Sequence, residues 1–153
     1  VHAITDGRDV GPKTALKYLQ DLQLFMSSIS YGQIASVVGR YYAMDRDKRW
    51  ERTEAAYDLF TAGKGTKYPS IDDAVAANYN LDTNDEFFTP SILPGYEQIE
   101  NGCGLIFFNY RSDRMRQMVA SFLGLTELQR TKPELVQCLY LPDVLDDAVD
   151  DTI

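Results

Sequence analysis

Arginine side chains follow three of the predicted β-strands, at the points where each strand gives way to a helix. They are Arg8 after the first strand, Arg40 and Arg46 after the second, and Arg111 and Arg114 after a strand that ends at residue 110. In an open parallel α/β sheet, ligands bind at the carboxyl ends of the strands. Arginine donates two parallel hydrogen bonds to a phosphate or carboxylate and stays charged at any relevant pH. The spacing therefore predicts a pocket for a small, multiply anionic ligand.

A carboxylate stands beside the first of these arginines. Asp9 follows Arg8 directly, and a carboxylate among arginines can accept protons from substrate hydroxyls or act as an acid or base. Because neighbouring positive charges favour its ionised form, we expect Asp9 to orient hydroxyl groups rather than donate a proton. Asp9 is the predicted catalytic residue of this sequence.

Each of the five arginines, taken singly, could instead form an ion pair at the protein surface. Only their shared position after strands favours a ligand site. Arg49 and Arg52 have acidic neighbours at helical spacing, which predicts a salt-bridged surface. His2 lies inside a predicted strand, before the turn that carries Arg8, so we expect a structural role for it.

The composition excludes several classes of function. The 153 residues carry 15 Lys and Arg against 23 Asp and Glu, a formal net charge of −8, which predicts no binding to nucleic acid or anionic membranes. No apolar run approaches the ~20 residues of a membrane-spanning helix, and no signal peptide is recognisable. Cys103 and Cys138 form no metal-binding or disulfide pattern. We expect a cytoplasmic protein.

The order of predicted elements indicates an α/β fold. A strand over residues 1–5, a helix that starts at Pro12 and a strand over 34–38 form a βαβ unit. Helices follow over about 50–61, ended by Gly63 and Gly65, and from a capping Ser70 to about residue 79. We expect loop with one or two edge strands over 80–102, a doubly buried strand over 104–110, a helix over 113–123 and a last strand over 136–141. The sequence predicts one α/β domain over 1–153, with a mostly parallel sheet and flanking helices.

Three ordered stretches resemble motifs of the cofactor-independent phosphoglycerate mutases. They are DGRDV at residues 6–10, GRYYAMDRDKRWER at 39–52 and FFNYRSDR at 107–114. The middle motif alone is highly specific. Tyr110 and Ser112 stand where the family usually has Phe and Pro, and the resemblance weakens between residues 63 and 102 and after residue 123.

The resemblance implies a role for this chain within an isomerase of two domains. A phosphatase-like domain, with a nucleophilic serine and two divalent metal ions, usually manganese, takes the phosphoryl group from 3-phosphoglycerate and returns it to form 2-phosphoglycerate, a step of glycolysis and gluconeogenesis. The chain resembles most of the inserted transferase domain. Arg8 and Asp9 would engage the glycerate, while the other four would hold its carboxylate and phosphate: Arg40, Arg46, Arg111 and Arg114.

Several parts of the family's machinery have no counterpart in this sequence. The serine, the metal ligands and the histidine motif GGVHSH upstream of the DGRD turn are missing. His2 does not replace the catalytic histidine of that motif. We therefore expect the chain to bind phosphoglycerate, to contain no cofactor of its own and to depend on the phosphatase-like domain for turnover. A stand-alone anion-binding module without catalytic activity is the alternative.

Overall fold

Four short strands form one sheet in the computed structural model, which describes residues 1–100 and 102–124. The strands are His2–Thr5 (β1), Ser36–Gly39 (β2), Thr66–Lys67 (β3) and Ser91–Ile92 (β4). They lie in the order β1-β2-β4-β3. β1 pairs with β2 and β3 with β4 in parallel, whereas β2 and β4 are antiparallel. The α/β class with flanking helices is confirmed, and two of the three pairings are parallel.

In the described part of the chain five α-helices flank the sheet, with bounds Ala15–Ser28 (α1), Arg40–Ala43 (α2), Trp50–Ala62 (α3), Ile71–Asn80 (α4) and Arg116–Leu123 (α5). Short 3-10 helices span Asp85–Phe87 and Ser112–Arg114. Two of the predicted helix ends are confirmed, the start of α4 and the end of α3. The Ser70 hydroxyl accepts the Asp73 N–H at 3.1 Å, and Gly63 ends α3 with a φ of 61°. Within the described residues no helix is long and apolar enough to cross a membrane.

The helices pack on both faces of the sheet because successive residues of β2 point to opposite sides. Val37 contacts an apolar cluster contributed largely by α1 and α4. Val38 contacts a second cluster contributed largely by α3 and α5. Both valines are fully buried, so β2 is the centre of the core, and its carboxyl end is held rigidly where α2 begins.

The start of α1 differs from the prediction because a buried aspartate caps it. Oδ2 of Asp85 accepts the N–H groups of Thr14 and Ala15 at 2.7 and 2.8 Å. The helix therefore begins at Ala15 rather than at Pro12. The same side chain accepts the Tyr79 hydroxyl at 2.6 Å, and its backbone carbonyl accepts the Thr5 hydroxyl at 2.6 Å. Asp85 thus joins β1, α1 and α4 at one point.

Two strand predictions between residues 80 and 110 are corrected by the structure. β4 lies between β2 and β3 rather than at an edge, and the outer strand β3 was not predicted. Residues 104–110 form no strand, and Ile106 and Phe108 are exposed. A strand requires a neighbour to pair its backbone groups, and within the described residues none lies beside 104–110. The predicted strand over 136–141 lies outside the described residues.

Candidate anion-binding site

A cavity of about 320 Å³ lies beyond the carboxyl ends of β1 and β2. We call it the arginine cavity because six of its twelve lining residues are arginines: Arg8, Arg40, Arg46, Arg49, Arg52 and Arg114. Three carboxylate residues also line it: Asp45, Asp47 and Glu86. Four of the five predicted site arginines therefore meet at one concave surface. Arg111 does not line the cavity, although it binds Asp113, which also binds Arg46.

Arg40 is the most deeply buried of the arginines, at 5% exposure. It follows β2 directly, at the first position of α2. Its Nη1 donates to Asp6 Oδ1 at 2.6 Å and to Asp9 Oδ2 at 2.7 Å. Burial alone would lower the pKa of Arg40, but the two carboxylates outweigh it and raise that pKa. Arg40 is therefore a fixed cation that also positions Asp9, which is largely exposed.

The turn that carries Arg8 is organised by Asp6. Asp6 Oδ1 accepts the backbone N–H groups of Arg8 and Asp9, each at 3.1 Å. Burial would raise the pKa of Asp6, but the hydrogen bond from Arg40 and the two backbone amides lower it below its usual range. The Arg8 side chain is exposed and donates to Glu86 at 3.1 Å. Arg8 is thus tethered at the rim of the cavity by one carboxylate.

Arg46 and Arg111 are held together by Asp113. Arg46 Nη1 donates to Asp113 Oδ2 at 2.8 Å, and Arg111 donates to the same carboxylate from Nε and Nη2 at 3.3 and 3.2 Å. The hydrogen bonds from Arg111 and Arg46 lower the pKa of Asp113. All three side chains are partly exposed. One carboxylate therefore gathers two guanidinium groups that come from segments 65 residues apart in the chain.

Arg114 donates to a backbone carbonyl rather than to a carboxylate. Its Nη1 donates to the Met44 carbonyl at 3.1 Å, and its buried Nε has no hydrogen-bond partner among the described residues. Burial lowers the pKa of Arg114, and repulsion from Arg46, Arg40 and Arg111 lowers it further. A buried donor without an acceptor is costly. Arg114 therefore lies where an added anion would be strongly favoured.

Arg49 and Arg52 form the predicted ion pairs and also line the cavity. Arg49 lies 3.8 Å from Asp47, and Arg52 lies 3.7 Å from the buried Asp45. The Arg52 guanidinium also stacks over the Tyr41 ring at 3.8 Å from its centroid, a contact typical of arginine. Both arginines thus add positive charge to a site that the sequence assigned to other residues.

Sequence reasoning missed the carboxylates that hold the arginines in place. Asp45 accepts the N–H groups of Asp47 and Arg49, each at 3.0 Å, and Gln117 donates to it at 3.0 Å. The local signal for Asp45, as for Asp6, is an aspartate two residues before the amide that it accepts. The pairs Arg8–Glu86 and Arg46–Asp113 gave no comparable signal, because they join segments that are distant in the sequence and depend on the tertiary fold.

His2 has structural contacts. Its Nδ1 lies 2.8 Å from the Ser36 hydroxyl, and its ring packs against Phe60 with centroids 5.0 Å apart. Burial, with the N-terminal charge as a smaller cause, lowers the pKa of His2 to about 4. His2 does not line the arginine cavity.

The described residues offer no metal site, since no three His, Cys, Asp or Glu side chains among them are grouped to bind an ion. Six guanidinium groups around a small wet cavity can instead bind a compact polyanion through charge-assisted hydrogen bonds. Asp9 does not itself line the cavity. Its carboxylate is held by Arg40, which does, and it can accept hydrogen bonds from hydroxyl groups of a ligand that extends beyond the cavity.

Comparison with known proteins points to one family. Residues 1–142 match the family model described as BPG-independent PGAM N-terminus. The chain is similar to 2,3-bisphosphoglycerate-independent phosphoglycerate mutases of Clostridium kluyveri (47% identical over 122 residues, 77% of this chain and 24% of that protein) and of Clostridioides difficile (45% over 127 residues, 80% of this chain and 25% of that protein). The chain thus spans about a quarter of the length of these curated relatives.

A solved structure agrees with the fold. The crystal structure of Leishmania mexicana phosphoglycerate mutase at low cobalt concentration superposes with a TM-score of 0.78 at 24% sequence identity. The match covers 86% of this chain and 27% of that one. At this identity the likeness shows a shared fold, with the arginine cavity in a domain of the same architecture.

Proposed function

This chain belongs to the family of BPG-independent phosphoglycerate mutases, and on that basis we propose that it is the phosphoglycerate-binding part of such an isomerase. The complete enzyme would interconvert 3-phosphoglycerate and 2-phosphoglycerate in the cytoplasm, as a step of glycolysis and gluconeogenesis. The observation that carries the proposal is the convergence of arginines on one cavity, where the buried Nε of Arg114 has no acceptor within the described part of the chain. Such a site suits a ligand with both a phosphate and a carboxylate.

Each predicted site residue then has a role that follows from its contacts. Arg8, tethered to Glu86 at the rim, would engage the glycerate. Arg114 and Arg46 would bind the phosphate or carboxylate directly, with Arg111 brought in through the carboxylate that it shares with Arg46. Arg40 already forms ion pairs, so its role would be to hold Asp9 and to add positive charge to the wall of the arginine cavity. Asp9 would accept the hydrogen bond of a glycerate hydroxyl and so fix which hydroxyl faces the reacting group.

The chemical step is proposed to occur on a phosphatase-like domain outside this chain. That domain would supply the nucleophilic serine, which forms the phosphoserine intermediate, and two divalent ions, usually manganese. The described residues of this chain contribute no ligand cluster for such ions. Their contribution would be to bind the glycerate firmly enough, and to orient it well enough, for the phosphoryl group to return to the other hydroxyl.

An NMR titration of the chain with 3-phosphoglycerate tests this proposal. The amides around Arg8, Arg40 and Arg111 should shift together, with a dissociation constant of roughly a millimolar, about 4 kcal/mol. A few charge-assisted hydrogen bonds at ~1.5–3 kcal/mol each supply this binding free energy, after the entropy cost of ordering the ligand and the side chains is subtracted. Binding should weaken with added salt, because screening acts over about 8–10 Å. Arg46→Ala should weaken binding, whereas the matched control Arg116→Ala, exposed on α5 outside the cavity, should not.

The ligand series separates the mutase from the alternative. Plain glycerate should shift the same amides less than 3-phosphoglycerate, and the chain should not convert 3-phosphoglycerate to 2-phosphoglycerate with any divalent metal. Equal affinity for inorganic phosphate and 3-phosphoglycerate would favour a stand-alone anion-binding module. No shift at tens of millimolar ligand in low salt would contradict both functions for the arginine cavity in the separate chain.

A further inference from the structure

A short loop between α2 and α3 supplies much of the wall of the arginine cavity. Residues 44–49 form no helix or strand, and five of them line the cavity: Met44, Asp45, Arg46, Asp47 and Arg49. Residues 46–49 are exposed, and Lys48 has a φ of 59°, a conformation that few residues other than glycine adopt. An exposed, irregular segment is mobile unless other groups hold it, so the position of Arg46 depends on what holds this loop.

The side chain of Gln117, the second residue of α5, binds this loop at two points. It is buried, at 8% exposure. Its Oε1 accepts the Lys48 N–H at 2.8 Å, and its Nε2 donates to Asp45 Oδ2 at 3.0 Å. Nε2 also donates to the Thr53 hydroxyl of α3 at 2.9 Å. One amide group therefore joins α5 to the loop and to the helix that follows the loop.

Asp45 is the buried centre of these contacts. Its Oδ2 accepts the N–H groups of Asp47 and Arg49 as well as the Gln117 amide. A buried carboxylate requires such donors. Arg52 lies 3.7 Å from the other oxygen, beyond the length of a hydrogen bond. Within the described residues Gln117 is thus the one side chain that donates a hydrogen bond to Asp45, and through Asp45 it holds the backbone on both sides of Lys48.

Gln117 also connects the loop to the segment that carries Arg114. It lies three residues after Arg114, and Arg114 itself donates to the Met44 carbonyl at the start of the loop. Two arginines of the cavity, Arg46 and Arg114, thus come from segments that Gln117 joins. Gln117 does not line the cavity, so any effect on a ligand bound there would act through the loop.

We propose that Gln117 is a positioning residue for phosphoglycerate, because its amide group holds the loop over residues 44–49 and thereby fixes Arg46 relative to Arg114. The inference rests on the proposed function for the identity of the ligand. A ligand that carries a phosphate and a carboxylate at one separation requires guanidinium groups at a matching separation. Asp113 holds only the guanidinium end of Arg46, whereas Gln117 holds the backbone from which that side chain extends.

The contacts of Gln117 require a side chain that both accepts and donates hydrogen bonds. Gln117→Glu keeps an oxygen for the Lys48 N–H but places a second carboxylate oxygen opposite Asp45, where like charges repel. Gln117→Met neither accepts the Lys48 N–H nor donates to Asp45. Both substitutions keep a side chain of similar length, so they test hydrogen bonding rather than packing. Ser121→Ala is the matched control, because Ser121 is equally buried on α5 and its hydroxyl donates only to the Gln117 backbone carbonyl, at 2.9 Å.

Kinetics and hydrogen exchange of the complete protein test the proposal, at a temperature well below the melting point of every variant. Both Gln117 variants should lower kcat/KM for 3-phosphoglycerate by at least about 10-fold, since a misplacement of about 1 Å can cost about 100-fold. They should also speed exchange of the amides over residues 45–49 by at least about 10-fold. Ser121→Ala should change neither quantity by more than about twofold, even where it lowers the melting temperature as much.

Unchanged kcat/KM in both Gln117 variants, or an equal loss with Ser121→Ala, would overturn the proposal. If neither Gln117 variant folds, the Lys48 amide of the unmodified protein decides. It should exchange at least about 10-fold more slowly than the amide of Val10, which is exposed and has no acceptor among the described residues; equal rates would overturn the proposal. An unmodified protein that does not interconvert the phosphoglycerates would contradict the proposed function instead, and exchange over residues 45–49 would then decide this inference alone.

Discussion

Replacing Arg114 by methionine should weaken the binding of 3-phosphoglycerate while leaving the free energy of unfolding of the ligand-free protein nearly unchanged. The substitution keeps most of the apolar stem and removes the guanidinium. The buried Nε of this group finds no acceptor among residues 1–100 and 102–124, and Arg46, Arg40 and Arg111 repel the group. An unsatisfied buried donor costs ~1–3 kcal/mol, whereas the single hydrogen bond to the Met44 carbonyl returns a similar amount. We therefore expect Arg114→Met to change the free energy of unfolding by less than about 1 kcal/mol without ligand.

The same substitution should have a large effect on ligand binding. Loss of one charge-assisted hydrogen bond, ~1.5–3 kcal/mol, corresponds to roughly a 10- to 100-fold weaker affinity for 3-phosphoglycerate. Since a ligand that binds only the folded state stabilises it by RT ln(1 + [L]/Kd), urea unfolding with and without 3-phosphoglycerate measures both effects. Arg116→Met, on the exposed side of α5, is the control. A loss above about 2 kcal/mol without ligand, or ligand stabilisation equal to that of the unmodified protein, would refute the reasoning.

Three other changes have expected outcomes. Arg40→Ala should lower the free energy of unfolding by about 2 kcal/mol, because two short ion pairs of a buried guanidinium are lost while their partly exposed carboxylates regain water; unchanged urea midpoints would contradict this. Since the pKa of His2 is lowered from 6.5 to about 4, unfolding takes up a proton below pH 6.5. The free energy of unfolding should thus fall between pH 6.5 and 4, by at most about 3 kcal/mol, and His2→Gln should remove that part of the pH dependence. Gly39→Ala should destabilise by about 1–3 kcal/mol, because its Cβ would lie 2.3 Å from the Glu86 carbonyl oxygen; Gly104→Ala, with nothing within 4 Å, is the control in thermal unfolding.

Local patterns predicted most of the elements up to residue 80. In the first helix, apolar residues from Ala15 to Ile29 recur at three- and four-residue steps, which predicts one buried face. Leu19 and Met26 of that face lie in the core, whereas Phe25 and Ile29 are exposed. The helix ends at Ser28, so Ile29 lies past its last turn. Periodicity shows which residues share a face but not how far the neighbouring elements extend over that face.

Features that depend on a residue or strand distant in the sequence were predicted less well. Residues 104–110 have the composition of a buried strand, yet composition cannot supply the neighbouring strand that pairing requires. The arginines were recognised from their position after predicted strands. Four of them reach one cavity, including Arg114, although residues 104–110 before it form no strand. Their carboxylate partners were not recognised, because Asp113 meets Arg46 only through a contact that spans 67 residues.

The contacts of Asp85 have a consequence for how the molecule opens in solution. Its side chain accepts from the first turn of α1 and from Tyr79 of α4, and its carbonyl accepts from Thr5 of β1. Because these bonds share one buried residue, none of the three elements can detach without exposing a charge that the other two had enclosed. The first βα turn, the end of α4 and the 3-10 helix of Glu86 should therefore unfold together as one cooperative unit, and Arg8, tethered to Glu86, would lose its position in the same event.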